Sequence, residues 1–371
     1  MKLFAVLALI AGALTSAHAA GAGAAFKVKV FLDATGGQST MAVEMEFAGH
    51  ERGETELLLP NEWGGQRELY RAIRDIAVDN ATLNASEGDP ARRTLKHAPG
   101  ATIKLRYRIA ADADGAPAKN GGNDYRVQLR PDLIFALGNA WVIEPSSLSG
   151  EATADVQIVR SASIPAFASD LEHHSAGRPL NLNDIVESVL IAGAVRTIDA
   201  SGGARLAIYG KIDARDDAGW RDAFAQIAAA QRQYWGASEE PYLVTILTAP
   251  PVSEGSISIG GTGRSDAFAF FTTTNAGAAR LDQILAHEMM HTWVPRRIGG
   301  MPEGGGEALN YWLSEGFTDW TSWRVLARSR FWKPKDFAAV FNEAIKEYDL
   351  SPVRNAPNER IQKDFWNDRD V

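Results

Sequence analysis

His287-Glu288-Met289-Met290-His291, followed at 312–319 by Trp-Leu-Ser-Glu-Gly-Phe-Thr-Asp, decides how this chain is read. Helical geometry brings positions four apart onto one face, so His287 and His291 can share one ion. Glu288 sits beside the first histidine and can lean over the ion's open side. Glu315 follows after a connection long enough for the chain to leave one helix, turn, and enter a second that faces it. The two segments offer two imidazoles, one ligating carboxylate and one spare carboxylate. That set suits a catalytic zinc able to split an amide.

The flanking residues favour two helices. Residues 281–293, Leu-Asp-Gln-Ile-Leu-Ala-His-Glu-Met-Met-His-Thr-Trp, hold few helix breakers and put Ile284, His287 and His291 on one stripe. Pro295 then forbids continuation. Residues 310–328 form a second helical pattern with apolar Trp312, Leu313, Phe317, Trp320, Trp323 and Leu326. Gly316 costs that helix about 1 kcal/mol against alanine, a cost tolerable where another backbone must approach. Asp319 lies four positions after Glu315 and shares its face. Around zinc, one carboxylate binds the metal while another accepts the free ring N–H of a ligating histidine. Glu315 is expected in the first role and Asp319 in the second. A merely polar helix face would account for the histidines but not for the facing glutamate.

Three protein ligands leave the fourth tetrahedral corner to water, whose pKa falls toward ~7 there. Glu288 is expected to take the water's proton as the carbonyl carbon is attacked and to pass it to the departing amine. The chain contains no cysteine. Nitrogen and oxygen donors alone argue against a soft-ligand or redox metal and for one Zn2+.

With these residues in place, His-Glu-x-x-His-Thr-Trp, Arg296-Arg297-Ile298 and Trp312-Leu-Ser-Glu-Gly-Phe-Thr together resemble the gluzincin metallopeptidases of the glycyl aminopeptidase type, in the thermolysin-like clan. The resemblance is most specific over 284–323. It implies zinc held by His287, His291 and Glu315, with Glu288 as acid and base, in a thermolysin-like catalytic domain preceded by a β-rich domain. Two departures stand out. Where such proteins carry a Gly-Gly-Leu-Glu-His-like stretch, with a glutamate suited to a substrate's free amine, this chain reads Gly260-Gly261-Thr262-Gly263-Arg264-Ser265-Asp266. Asp266 is the nearby acidic residue; it could hold a cation but is read as an exposed turn aspartate. The chain also stops at Val371, soon after Phe365-Trp366, so the catalytic domain is expected to be incomplete at its carboxyl end. Tyr311 and Tyr348 are the nearby phenols, both read as structural.

Residues 1–19 join one lysine, a short apolar run and an Ala-x-Ala ending, the pattern of a secretory leader cut after Ala19. The run Leu3 to Leu14 is shorter than the ~20 residues that a membrane span needs. A periplasmic or secreted protein with no membrane span in the mature chain is expected. Net charge of −8 and pI near 5.5, without a basic patch, exclude nucleic acid as a partner and leave a peptide or protein substrate.

An α+β, multidomain fold is expected. From Ala25 to about 160, alternating stretches such as Phe26-Lys-Val-Lys-Val-Phe-Leu and Thr102-Ile-Lys-Leu-Arg-Tyr-Arg suggest an antiparallel β-sandwich-like domain. Residues 66–78 read as a short helix or turn within it. The domains are set at 20–200 and 201–371, with Asp199-Ala-Ser-Gly-Gly-Ala as linker. Beyond it come a helix from Asp216 to Gly236, a buried strand from Tyr242, and a hairpin over Ser256-Ile-Ser-Ile and Ala267-Phe-Ala-Phe-Phe. One of these strands is expected to be an exposed edge lining the cleft. His50, His97 and His173-His174 share no metal-binding spacing and are read as surface histidines. Six of ten tryptophans lie from 293 onward, so the densest packing is expected around the metal helices. The function expected is hydrolysis of peptide bonds, in one form as an aminopeptidase. The alternatives are a truncated, inactive homologue and a secreted β-domain binding protein with a non-catalytic zinc. An open fourth ligand position separates the last from an enzyme.

Overall fold

The computed structural model describes residues 24–364, apart from 87, 113–124, 175–178, 265, 299–307 and 358. The leader, the glycine turn at 121–122, most of the glycine-rich loop after Arg297 and the aromatic pair at 365–366 lie outside the described residues.

Alternation in the amino-terminal half is realised as strands. Phe26–Asp33 buries Phe26, Val28 and Val30 and turns Lys27 and Lys29 to solvent. It pairs antiparallel with Thr40–Ala48, which pairs in turn with Thr102–Ile109. On its other side it runs parallel to Thr153–Arg160, so the six-stranded sheet is mixed rather than purely antiparallel. Residues 66–78 hold a 3-10 turn, Leu69–Ala72, that enters a strand, Ile73–Asp79, on the sheet edge. A register shift between Arg74 and Ala77 gives that strand its helix-like apolar spacing. Two four-stranded sheets and a two-stranded hairpin, Glu62–Trp63 with Gln66–Arg67, complete the described part of this half, and one core fills it, with Phe47, Leu57, Leu95, Leu105 and Trp141 almost wholly buried.

A five-stranded sheet follows, ordered Val195–Asp199, Ala204–Tyr209, Tyr242–Ala249, Ala267–Thr273 and Ile259–Gly263. The stretch 199–204, read as a linker, is a hairpin turn between the first two of these strands. Gly202 and Gly203 have φ of 70° and 75° there, a region that favours glycine. The three central strands run parallel, and Tyr242–Ala249 and Ala267–Thr273 are buried on both faces. Successive residues therefore serve different cores. Val244, Ile246, Phe268 and Phe270 meet the helices, whereas Leu243, Leu247, Ala269 and Phe271 meet Leu133, Phe135 and Ile191 of the amino-terminal half. This third core fastens the halves face to face.

Helix α1, Asp217–Trp235, starts where the Asp216 carboxylate accepts the Gly219 N–H at 2.8 Å and stops at Gly236, φ 64°. It buries Trp220, Phe224 and Ile227. Helix α2, Ala278–Met290, buries Leu281, Leu285, Ala286 and Met290 and leaves the His287 and Glu288 face toward the cleft. Gln231 of α1 donates to the Ala286 carbonyl at 2.6 Å, and Arg215 pairs with the buried Asp282 of α2. Helix α3, Phe317–Arg328, follows a π-helical turn at Trp312–Gly316. Trp323 and Leu326 are buried as expected, but Trp312, Phe317 and Trp320 are 60%, 47% and 38% exposed. Among the described residues the expectation of dense packing thus holds for Trp293, Trp323 and Trp332 only. Helix α4, Pro334–Leu350, leans on the core through Phe337, Val340 and Ala344.

One buried acid makes stability pH-dependent. Asp170 is 2% exposed, and burial lifts its pKa to about 7 against the opposing pull of the Val189 N–H and Arg264. The folded state therefore holds its proton more tightly than the unfolded chain does. That contribution to stability is full below the ordinary aspartate range and is lost as pH rises toward 7. Asp170→Asn is expected to flatten the decline in unfolding free energy between about pH 4 and 7 by up to ~1.4 kcal/mol per pH unit. Denaturant titrations across that window check it, and parallel curves for the two proteins contradict it.

Candidate active site

The two imidazoles and the carboxylate converge. Glu315 Oε2 lies 3.3 Å from His287 Nε2 and 3.6 Å from His291 Nε2. The three ligating atoms all fall within 4.8 Å of one another. Tetrahedral zinc with bonds of about 2.0–2.1 Å separates its ligand atoms by roughly 3.4 Å. The residues present therefore fit the ion in spacing and donor type. His287 comes from the last turn of α2 and His291 from its end, with ring planes 88° apart.

The outer ring nitrogens are held. His287 Nδ1 meets Asp319 Oδ1 at 2.8 Å, the position expected of Asp319. His291 Nδ1 meets the Val294 carbonyl at 3.0 Å, and Thr318 Oγ1 bridges both at 3.4 and 3.2 Å. With Nδ1 engaged on each ring, Nε2 is the atom each would offer to an ion. Thr318 escaped the sequence reading, because a threonine between two assigned acids carries no spacing signal of its own.

The electrostatics favour positive charge at the centre. Burial works against the His287 imidazolium, but hydrogen bonds to Asp319 and Glu315 outweigh it and raise the pKa to about 10. His291 is likewise raised, with Glu315 and Glu288 overcoming burial. Burial would lift Glu315, yet the two imidazoles hold it well below the ordinary carboxylate range. Burial lifts Glu288, only partly offset by the histidines. A carboxylate lifted in this way is a better proton acceptor than an exposed one.

A cavity of about 770 Å³ opens beside these groups, lined by Glu288, His291 and Glu315 and by residues of both halves. The outer strand forms one wall; it spans Ile259–Gly263, three residues later than the strand expected over 256–259, and as an edge it borders the cleft as expected. The amino-terminal half forms another. Trp63 donates its indole N–H to Thr262 Oγ1 at 3.1 Å, and Tyr125 donates to the Gly261 carbonyl at 2.8 Å. Arg264 lies with its guanidinium 4.7 Å over the Trp63 ring. Tyr311 also lines the cleft and Tyr348, 65% exposed on α4, does not. Asp266 is half-buried in the hairpin turn and is not among the residues lining the cleft. His50 and His97 take structural bonds, to the Ser146 carbonyl and to Thr55. The His173-His174 side chains lie outside the described residues.

Residues 280–364 match the M61 glycyl aminopeptidase family. Among solved structures the chain is similar to an aminopeptidase N family protein from Idiomarina loihiensis, with a TM-score of 0.64 and 14% identity over 84% of this chain and 56% of that one. It is also similar to an M1 zinc metallopeptidase from Deinococcus radiodurans, TM-score 0.51 and 15% identity over 86% of this chain and 74% of that one. A mutant of that enzyme bound to a Tyr-Ser-Ala substrate scores 0.50, at 14% identity over 91% and 77%. No curated protein matches. The chain spans little more than half the length of the first of these structures. At such identities the structural likeness speaks to fold, and the α+β fold with a sheet-rich amino-terminal part agrees with it. The match over residues 280–364 agrees with the gluzincin resemblance.

Asp319→Asn tests the outer carboxylate. The amide keeps the size but loses the charge that orients His287. Zinc affinity is expected to fall about 10–100-fold, with the fold retained. Competition against a fluorescent chelator measures it, and unchanged affinity removes the role.

Proposed function

We propose that this chain, gluzincin-type by its matched segment and its fold, hydrolyses peptide bonds with Glu288 as general base and acid. The observation that carries the reading is the meeting of His287, His291 and Glu315 at one point of a cleft that Glu288 also lines. Zinc bound by the three would polarise a carbonyl and acidify water, which is its chemistry in open sites. Glu288, lifted by burial, takes the proton from the attacking water and hands it to the departing amine, so one carboxylate serves both halves of the reaction. Asp319, Thr318 and the Val294 carbonyl hold the imidazoles at fixed tilt throughout.

The substrate is a peptide or protein, and the 770 Å³ cleft between the halves is large enough to take several residues of an extended chain. Export to the periplasm or exterior is part of the proposal, supported by the leader-like residues 1–19. Among the described residues no helix is long and apolar enough to cross a membrane. A division between the halves just ahead of the strand Val195–Asp199 is supported by the two large cores, one ending at Ala192 and the other starting at Ile198.

Glu288→Gln is the direct test. Peptide hydrolysis is expected to fall about 10²–10⁴-fold with zinc content unchanged. Metal analysis and a peptide-cleavage assay on the two proteins check it. Equal activity in the variant removes Glu288 from the mechanism.

A further inference from the structure

A second cavity, of about 300 Å³, opens beside the catalytic cleft, and Glu62 lines both. It belongs to the amino-terminal half, where three strands lie side by side. Glu144 pairs with Leu58, and Leu58 with Arg92. Residues directly opposite across antiparallel strands point to one face, so these three share it. Strands lie about 4.8 Å apart, which separates the Glu144 and Arg92 backbones by roughly 10 Å.

The acids of this cavity are unequally answered. Arg92 turns to Glu56 at 2.6 Å and to Asp89 at 3.0 Å. Glu62 faces Arg67 at 3.4 Å. Glu144 is half-buried and, among the described residues, meets no cation. Burial raises its pKa, with no hydrogen bond or neighbouring charge drawing it back. Asn139 lines the same cavity, and its amide oxygen and nitrogen are both buried without a hydrogen-bond partner among the described residues. Such groups are costly to leave unmet, so the cavity is built for an occupant that meets them.

The lining chooses the occupant. Leu58, Ala91 and Val142 supply apolar surface along which a methylene stem can lie. An ammonium at the end of that stem carries three donors and can reach the Glu144 carboxylate and the Asn139 amide oxygen together. A metal ion fits less well. Among the described residues, the group of three possible ligands close enough to share one is His287, His291 and Glu315. Contiguity with the cleft at Glu62 makes an extended peptide the natural bearer of the ammonium.

We propose that this cavity takes a lysine side chain of a peptide held in the catalytic cleft, with Glu144 and Asn139 as its partners. The amino-terminal half then selects for a basic residue to one side of the cut bond. The proposal rests on the peptidase reading above. Zinc-loaded full-length protein is given a peptide series in which one lysine moves position by position, each peptide matched by its norleucine counterpart. At one position wild type is expected to favour lysine by about tenfold or more in kcat/KM, through KM, and Glu144→Gln to bring that ratio within about twofold of one. Ratios near one at every position in wild type overturn the proposal, as does a preference that survives Glu144→Gln.

Binding separates this failure from failure of the peptidase reading. Lysine and norleucine peptides are titrated calorimetrically into zinc-loaded Glu288→Gln protein, with and without Glu144→Gln. Binding of the lysine form tighter by about tenfold, lost on adding Glu144→Gln, supports the cavity assignment even where wild type cuts no peptide. Equal binding of the two forms overturns it.

Discussion

One carboxylate between two imidazoles holds the account together. Glu315 reaches from the π-helical turn before α3 to within 3.3 and 3.6 Å of rings borne by α2. Such spacing requires two helices fixed to within a fraction of an ångström. The fold supplies that through burial of Leu285, Met289 and Met290 on one side of α2 and Trp323, Val325 and Leu326 of α3 on the other. Directional ties add to it: Gln231 to the Ala286 carbonyl, and Arg215 to Asp282. A π turn widens the backbone at the point where Glu315 projects, and such turns recur at functional sites. Asp319 and Glu315 then sit on one side of the helix, one behind His287 and one in front of it.

The cleft belongs to neither half alone. Alternate residues of the parallel strands face opposite ways, so the sheet that carries the metal helices on one side grips the amino-terminal sheet on the other. Phe271 packs edge-on against Phe135 in that shared core. Above it, Trp63 and Tyr125 close on the outer strand, and Arg264 reaches back to the end of the short helix Leu182–Val186. The amino-terminal half is thereby part of the cleft wall as well as a support.

The convergence of the candidate metal-holding residues was legible in the sequence because its information is local. Four-residue spacing on a helix fixes which side chains share a face, and both pairs, His287 with His291 and Glu315 with Asp319, obey it. The strands around Val28 and Val244 were legible for the same reason. What periodicity does not encode is the partner across a face. Trp312, Phe317 and Trp320 have the spacing of buried residues and yet stand exposed. Trp63 meets Thr262 from 199 positions away, a contact that no window of sequence contains. The bulge between Arg74 and Ala77 made a strand look helical, and the glycines at 202–203 made a hairpin look like a linker. Local chemistry was readable, whereas tertiary covering and turn geometry were settled by packing.

The most direct measurement is anomalous diffraction at the zinc edge from crystals of the zinc-loaded protein. One strong peak is predicted at about 2.0–2.2 Å from His287 Nε2, His291 Nε2 and a Glu315 oxygen, with a fourth coordination position not filled by protein. A peak elsewhere, or one enclosed by four protein ligands, would contradict the account.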